Sequence, residues 1–297
     1  MRRWTARRRD IPMLTVGSLF SGAGLCDLGL HWAGLKHQWF CEIDPFCRAV
    51  LARHWPSTPI YNDITCLDGI KLPPVDVLVG GFPCQDVSGA GKRAGVKIGT
   101  RSGLWYEYAR IIKEVRPKYA IIENVRGLLS CGIEVVMQEL AQIGYDAEWE
   151  VLPAAALGAP HHRERVFIVA YPVGTHPDGA CRLLHPLKGI VGDHEQFAAL
   201  YPWLGLRFDR ACKTSSLESY CAPILYRVDD GRTSGLDGAA RPLPGRAHKI
   251  GCVDLSTARA WIPRLKALGN AITPQQSYAI AACILQGEGL PVPPLPQ

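Results

Sequence analysis

Two side chains carry the strongest chemistry in this sequence: Cys84, in the run Gly80-Gly81-Phe82-Pro83-Cys84-Gln85, and Glu123, in Glu123-Asn124-Val125. A thiolate is a good nucleophile, and a carboxyl group beside it can deliver a proton to whatever the thiolate attacks. Each residue follows a short apolar run, Val75–Gly80 before the cysteine and Tyr119–Ile122 before the glutamate. In a parallel βαβ unit with a right-handed crossover, both runs end on one edge of the sheet. The two groups then become neighbours in space. Read singly, a buried core thiol and a solvated strand-end carboxylate are the plain alternatives; the pair points to nucleophilic catalysis with acid assistance.

A second constellation precedes it. Phe20-Ser21-Gly22-Ala23-Gly24-Leu25 follows the β-rich run Leu14–Ser18. Glycines at a strand-to-helix turn let the backbone approach a ligand closely. Glu42 stands about 20 positions beyond Gly22, at the end of the run Gln38–Ile43, where an acidic group can accept from ribose hydroxyls. The pattern fits a nucleotide-type cofactor, although a G-x-G also marks ordinary tight turns. After Cys84, the segment Gln85–Gly103 is rich in glycine and carries Ser88, Lys92 and Arg93. Such a loop suits a lid over an anionic substrate, with a plain surface loop as the alternative.

These residues need elements to hold them. Phe46 to Trp55 reads as a helix closed by Pro56, and Leu104, Tyr108, Ile111, Ile112 and Val115 share one helical face that Pro117 ends. Strand alternating with helix predicts an α/β domain with a mostly parallel sheet. The pattern changes after Tyr171-Pro172, where Gly, Pro, Asp and Arg dominate, and helical spacing returns at Gln276–Leu285. The expected organisation is a basic arm (1–12), a catalytic and cofactor-binding domain (13–171), a loop-rich lobe (172–262), a returning segment (263–287) and a mobile Pro-rich tail (288–297).

Composition narrows the classes. A chain of 297 residues with 47% apolar and 20% charged residues is neither disordered, collagen-like nor a coiled coil. No apolar run approaches the roughly 20 residues that cross a bilayer, and MRRWTARRRD lacks an apolar signal core, so a cytoplasmic, membrane-free protein is expected. Eleven cysteines without a C-x-x-C pair predict free thiols and no metal site. The net charge of +6 resides mainly in Arg2, Arg3, Arg7, Arg8 and Arg9, leaving a nearly neutral body. Charge alone therefore gives no argument for DNA. The arm reads as a solvated tail, with phosphate contacts as the alternative.

Taken together, the motifs resemble those of the DNA (cytosine-5)-methyltransferase family over nearly the whole catalytic domain. LFSGAG (Leu19–Gly24) resembles its first cofactor motif and CEIDP (Cys41–Pro45) its acidic ribose motif. Asn62-Asp63-Ile64 is similar to the adenine-contacting motif, Gly80–Gln85 to the nucleophile motif and Glu123-Asn124-Val125 to the ENV triplet. His161–Val166 resembles the basic R-x-R strand, and Gly269-Asn270-Ala271 followed by Pro274 the closing motif. Arg264–Gln276 is closest to bacterial and phage members. Two departures stand out: Leu25 replaces a usual second glycine, and only Arg227–Gly231 resembles the motif that normally precedes RLKALGN.

The resemblance implies a Rossmann-like, S-adenosylmethionine-dependent methyltransferase domain plus a smaller target-recognition lobe. Cys84 would add to cytosine C6, Glu123 would protonate N3, Asn124 would support the carboxylate and loop, and Arg163 and Arg165 would hold the base and its phosphate. Phe20, Ser21, Gly22, Ala23, Gly24, Leu25, Glu42, Ile43, Asp63, Ile64, Gly80, Pro83, Asn270 and Ala271 would line the cofactor site. Gln85, Ser88, Lys92 and Arg93 would meet DNA. The implied partner of this monomer is duplex DNA with the target base flipped out; a restriction endonuclease acting on the same site would lie in another chain. Rival readings are the RNA branch of the family, whose C-F-T triplet is absent, a dead DNA-binding scaffold, and an NAD-dependent dehydrogenase that would leave Cys84 and Glu123 idle.

Overall fold

Apolar residues run unbroken through the central strands, as a sheet covered on both faces requires, and glycine and polar residues gather at the strand ends. The computed structural model describes residues 13–83, 103–159, 161–175, 183–187, 267 and 271–295. In chain order these form β1 (Thr15–Leu19), α1 (Leu25–Trp32), β2 (Lys36–Cys41), α2 (Pro45–His54), the short β3 (Ile60–Tyr61), β4 (Val77–Gly80) and α3 (Leu104–Val115). Then follow β5 (Tyr119–Val125), α4 (Leu128–Cys131), α5 (Ile133–Gln142), β6 (Tyr145–Pro153), β7 (Glu164–Pro172) and, after a long interval, α6 (Pro274–Gly287).

Seven strands make one sheet in the order β3-β2-β1-β4-β5-β7-β6. Pairing is parallel from β3 through β5, and β7 runs antiparallel to both β5 and β6. The expected α/β architecture with a mostly parallel sheet is present. Strand order reverses between β1 and β4, where open sheets of this kind receive ligands. Alternation of side chains splits the core: Val77, Val79, Tyr119, Ile121, Phe167 and Val169 face α1 and α6, whereas Leu78, Ala120, Ile122, Ile168 and Ala170 face α3 and α5. Helix starts follow their sequence signals. Asp44 caps α2 by accepting Phe46 N–H at 2.9 Å, with Pro45 in the first turn.

Three boundaries differ from expectation. β5 continues past Ile122 through Val125, because β7 pairs with it there: Glu123 lies opposite Phe167, Asn124 opposite Val166 and Val125 opposite Arg165. The described part of the tail, through Leu295, is packed on the core. Leu290, Val292 and Leu295 lie against the α1–α6 core, and Tyr278 donates its hydroxyl to Pro293 O. An extended Pro-rich segment with apolar residues along one edge can lie on an apolar surface without needing ladder partners. The first domain also reaches beyond Tyr171: Leu183, Leu184 and Leu187 are buried in the same core, and Glu148 accepts Leu183 N–H at 2.7 Å and Leu184 N–H at 3.2 Å. Apart from 172–175 and 183–187, the expected lobe lies outside the described residues, as does the basic arm.

Cys26, Cys41, Cys47, Cys66, Cys131 and Cys283 are free thiols, as expected. Among the described residues, no helix is long and apolar enough to cross a membrane.

Candidate active site

The carboxylate end of the site is set by strand register. Alternation along β5 and β7 puts Glu123 and Arg165 on one face, and Arg165 Nε donates to Glu123 Oε1 at 2.9 Å with both side chains largely buried. Gly81, directly after β4, packs against the same carboxylate; a methyl group there would collide with Glu123 Oε2. The segment after β4 and the acid therefore lie together on one sheet edge. Cys84 itself lies outside the described residues, as do Gln85, Ser88, Lys92, Arg93 and Asn270.

Asn124 is buried and its role is narrower than expected. Its Nδ2 donates to Phe82 O at 3.1 Å and its Oδ1 accepts Val125 N–H at 2.9 Å. It braces the segment before Cys84; among the described residues no bond joins it to the Glu123 carboxylate, because successive strand side chains point to opposite faces. Arg165, expected to reach the base and its phosphate, is engaged with Glu123 and with Glu164 O at 2.9 Å. Arg163 sits at φ 35°, a left-handed value rare outside glycine, and its guanidinium donates to Ala271 O. The carbonyl of Ala271, expected at the cofactor, is thus turned to Arg163.

Burial pushes the Glu123 carboxyl up to about 7, against the opposing pull of the Arg165 and Arg163 charges. Burial also lowers the Arg163 guanidinium, with the Arg165 charge adding to the effect. The described thiols nearby are unsuited to attack. Burial and the Asp27 and Glu123 carboxylates push Cys26 well up, and burial with Glu42 and Asp63 pushes Cys41 to about 12.

The other end of the same edge is a clasped turn. Phe20, Gly22 and Gly24 have φ of 52°, 56° and 81°, and Gly24 passes the chain into α1. Glu42 closes the turn: its Oε2 accepts Gly22 N–H and its Oε1 accepts Asp44 N–H, both at 2.7 Å. Ser21 is buried against Ser18, at 2.8 Å between hydroxyls, whereas Ala23 and Leu25 are half-buried. Ile43 is 69% exposed beside Glu42, an open apolar surface at the cofactor end. Asp63 accepts both Thr65 N–H and Thr65 Oγ1 on Oδ1, so Oδ2 faces no donor among the described residues. The Ile64 side chain is in the core and its carbonyl accepts from Arg110 at 2.9 Å, so its backbone N–H is the group it could offer a ligand. Gly80 is buried in β4 and Pro83 half-buried after it.

The order of these motifs has a counterpart among known proteins: the model of the family described as C-5 cytosine-specific DNA methylase matches residues 14–193. The chain belongs to that family. Similar relatives include the Type II methyltransferase M2.BsuMI of Bacillus subtilis, 36% identical over 207 residues, which are 65% of this chain and 52% of that one. M.AquIA of a Picosynechococcus strain is 38% identical over 178 residues, 53% of this chain and 71% of that one. A Type II methyltransferase of Escherichia coli is 41% identical over 163 residues, 52% of this chain and 39% of that one. This methylase-family chain spans about half the length of the first of these relatives.

Within the methylase domain, three positioning residues escaped the sequence reading. Arg48 donates to Glu42 O at 3.0 Å and Ile43 O at 2.6 Å, holding the loop that presents both. Gly81 leaves the room Glu123 occupies. Gln276 reaches the backbone beneath Arg163 from the far end of the sequence. The T-P-x-Q start of α6 was a readable capping signal for Gln276; nothing local marks Arg48 or Gly81.

Proposed function

We propose that this chain methylates C5 of cytosine in duplex DNA, using S-adenosylmethionine and a transient bond from Cys84 to C6. The observation that carries the reading is the Glu123 carboxyl, held by Arg165 against Gly81 and raised to about 7, at the end of the strand that leads to Cys84. A carboxyl group with that value can both give and take back a proton near neutrality.

Cytosine C5 is a poor nucleophile in an intact ring. Attack of the Cys84 thiolate on C6 forms the S–C6 bond, and the ring electrons move toward C5 and N3 while Glu123 delivers its proton to N3. C5 then has enamine character. S-adenosylmethionine, when bound, supplies an electrophilic methyl group to that carbon. The C5 proton subsequently leaves to solvent, the S–C6 bond breaks, the double bond returns, and the N3 proton goes back to Glu123. Arg165 fixes the carboxyl, and its charge together with that of Arg163 stabilises the ionised form between turnovers. The base must leave the duplex to reach this edge.

The residues at the glycine turn fit the cofactor. Each Glu42 oxygen has a second lone pair for a ribose hydroxyl after serving Gly22 and Asp44. Asp63 Oδ2 faces outward for an adenine amino group, and the exposed Ile43 offers an apolar surface to the ring. We assign DNA contacts to Gln85, Ser88, Lys92 and Arg93, and target recognition to the stretch between β7 and α6. The chain acts as a cytoplasmic monomer, with any restriction endonuclease for the same site in a separate chain.

Trapping tests the reading directly. DNA copied with 5-fluorocytosine in place of cytosine lacks the C5 proton, so elimination stalls after methyl transfer. A protein–DNA complex that survives denaturing gels, requires S-adenosylmethionine and disappears with Cys84→Ser is the expected result. An adduct that persists without Cys84, or active enzyme that never gives one, overturns the mechanism.

A further inference from the structure

Arg163 is gripped twice by a segment more than a hundred residues away in sequence. Its guanidinium meets Ala271 O, and its carbonyl accepts from Gln276 Nε2 at 3.2 Å. The same Nε2 donates to Leu152 O at 2.6 Å, and Leu152 is the β6 residue paired with Arg165. Gln276 is fully buried, and its Oε1 accepts Thr273 N–H and Thr273 Oγ1, both at 3.1 Å. A capping box needs only the acceptor oxygen. The amide nitrogen is surplus to that task, and it is spent on the backbone under both site arginines. A left-handed arginine is strained and persists only where its surroundings hold it. Gln276 and Ala154, whose N–H lies 2.8 Å from His162 O and 3.4 Å from Arg163 O, both bond the backbone there.

We infer that Gln276 is a positioning residue for the active site, acting through the Arg163 and Leu152 carbonyls to hold in place the strand start that carries Arg165 against Glu123 and the Arg163 charge near it. The inference rests on the reading of Glu123 as the proton donor, and it extends the site to α6. The charged and titratable groups facing Glu123 are Arg165 and Arg163 of the β7 segment and the Cys26 thiol of α1. Among the described residues these two arginines favour the ionised carboxyl, so loosening Arg163 raises the pH at which Glu123 gives up its proton.

The test reads Glu123 itself, without needing turnover. Infrared titration of the full chain, with Glu123→Gln subtracted to isolate one carboxyl band, gives the midpoint. Gln276→Met keeps the length and removes both donors; Gln276→Asn keeps the amide but cannot reach. Either should raise the midpoint by about half a pH unit or more. Glu288→Gln loosens the opposite end of α6, where Glu288 holds Lys118 and Tyr119, and should leave the midpoint in place. If the Gln276 variants melt earlier with an unmoved midpoint, if Glu288→Gln moves it equally, or if neither Gln276 variant folds, Gln276 is a folding residue and the inference is withdrawn. Methyl transfer by the wild-type chain is assayed in parallel. Its absence would count against the proposed reaction while the titration still decides the role of Gln276.

Discussion

Around the glycine turn, the side-chain clasps join residues between Gly22 and Arg48: Glu42 to Gly22 and Asp44, and Arg48 to the carbonyls of Glu42 and Ile43. Around Glu123 and its arginines, the contacts come from three separated segments: Gly81 after β4, Arg165 on β7 against Glu123 itself, and the stretch from Ala271 to Gln276, which grips Arg163. Both ends lie on one sheet edge. The first is clasped mainly by residues close in sequence, with α1 tied to α6 only behind it, where Ser277 Oγ donates to Cys26 O at 2.7 Å. The second exists only once β7 has turned back beside β5 and α6 has returned to the sheet. A change far away in sequence can therefore disable the acid while leaving the cofactor turn intact.

The sharpest way to break that contrast is Gly81→Ala. The added methyl meets Glu123 Oε2, while Glu123 O at 3.4 Å is an ordinary contact, so the carboxylate must swing away from its place on Arg165. Displacing a positioned general acid costs about a thousandfold in methyl transfer, or about 4 kcal/mol of barrier. Cofactor affinity, measured by calorimetry, should stay within about a factor of 2–3, because Gly81 touches nothing in the clasped turn. Loss of both together would mean that the two ends are one cooperative unit.

How legible each end was follows from the same difference. Gly22, Gly24 and Glu42 announce themselves because a strand-to-helix turn and the next strand end sit at a fixed offset. Asp44-Pro45 likewise spells out the start of α2. Glu123 was readable as a strand-end acid, but not its pairing with Arg165, which depends on antiparallel register, nor the crowding at Gly81. The packed tail was misread because its Pro and Leu residues look alike in a free linker and against an apolar face; only α1 and α6 decide between them.

The acid end should also carry a pH signature. Glu123 moves from an ordinary 4.5 to about 7 in the folded chain. Between those values the folded chain binds more protons than the unfolded one, so stability falls as pH rises through that window. The fall amounts to about 3 kcal/mol. Glu123→Gln cannot ionise and should lack it. Thermal melts between roughly pH 4 and pH 8 should show the wild type losing ground to the variant toward neutrality. Parallel curves would remove the raised value and with it the fitness of Glu123 as an acid.

The smallest expected effect sharpens the comparison from the other side. Glu42→Gln keeps shape and one acceptor, but its amide nitrogen must face either Gly22 N–H or Asp44 N–H, donor against donor. One clasp opens and the remaining bond loses its charge assistance. S-adenosylmethionine affinity should fall by about 1–2 kcal/mol, with a stability loss of similar size. Because the bonds at stake join residues between Gly22 and Asp44, the Glu123 titration midpoint should not move. Calorimetry and the infrared titration, run on the same preparation, separate the possibilities. Unchanged affinity would remove Glu42 from the cofactor site and leave it a purely structural clasp. A moved Glu123 midpoint would show that strain at the turn travels along the edge through β1 and β4, and the two ends could no longer be treated as independently built.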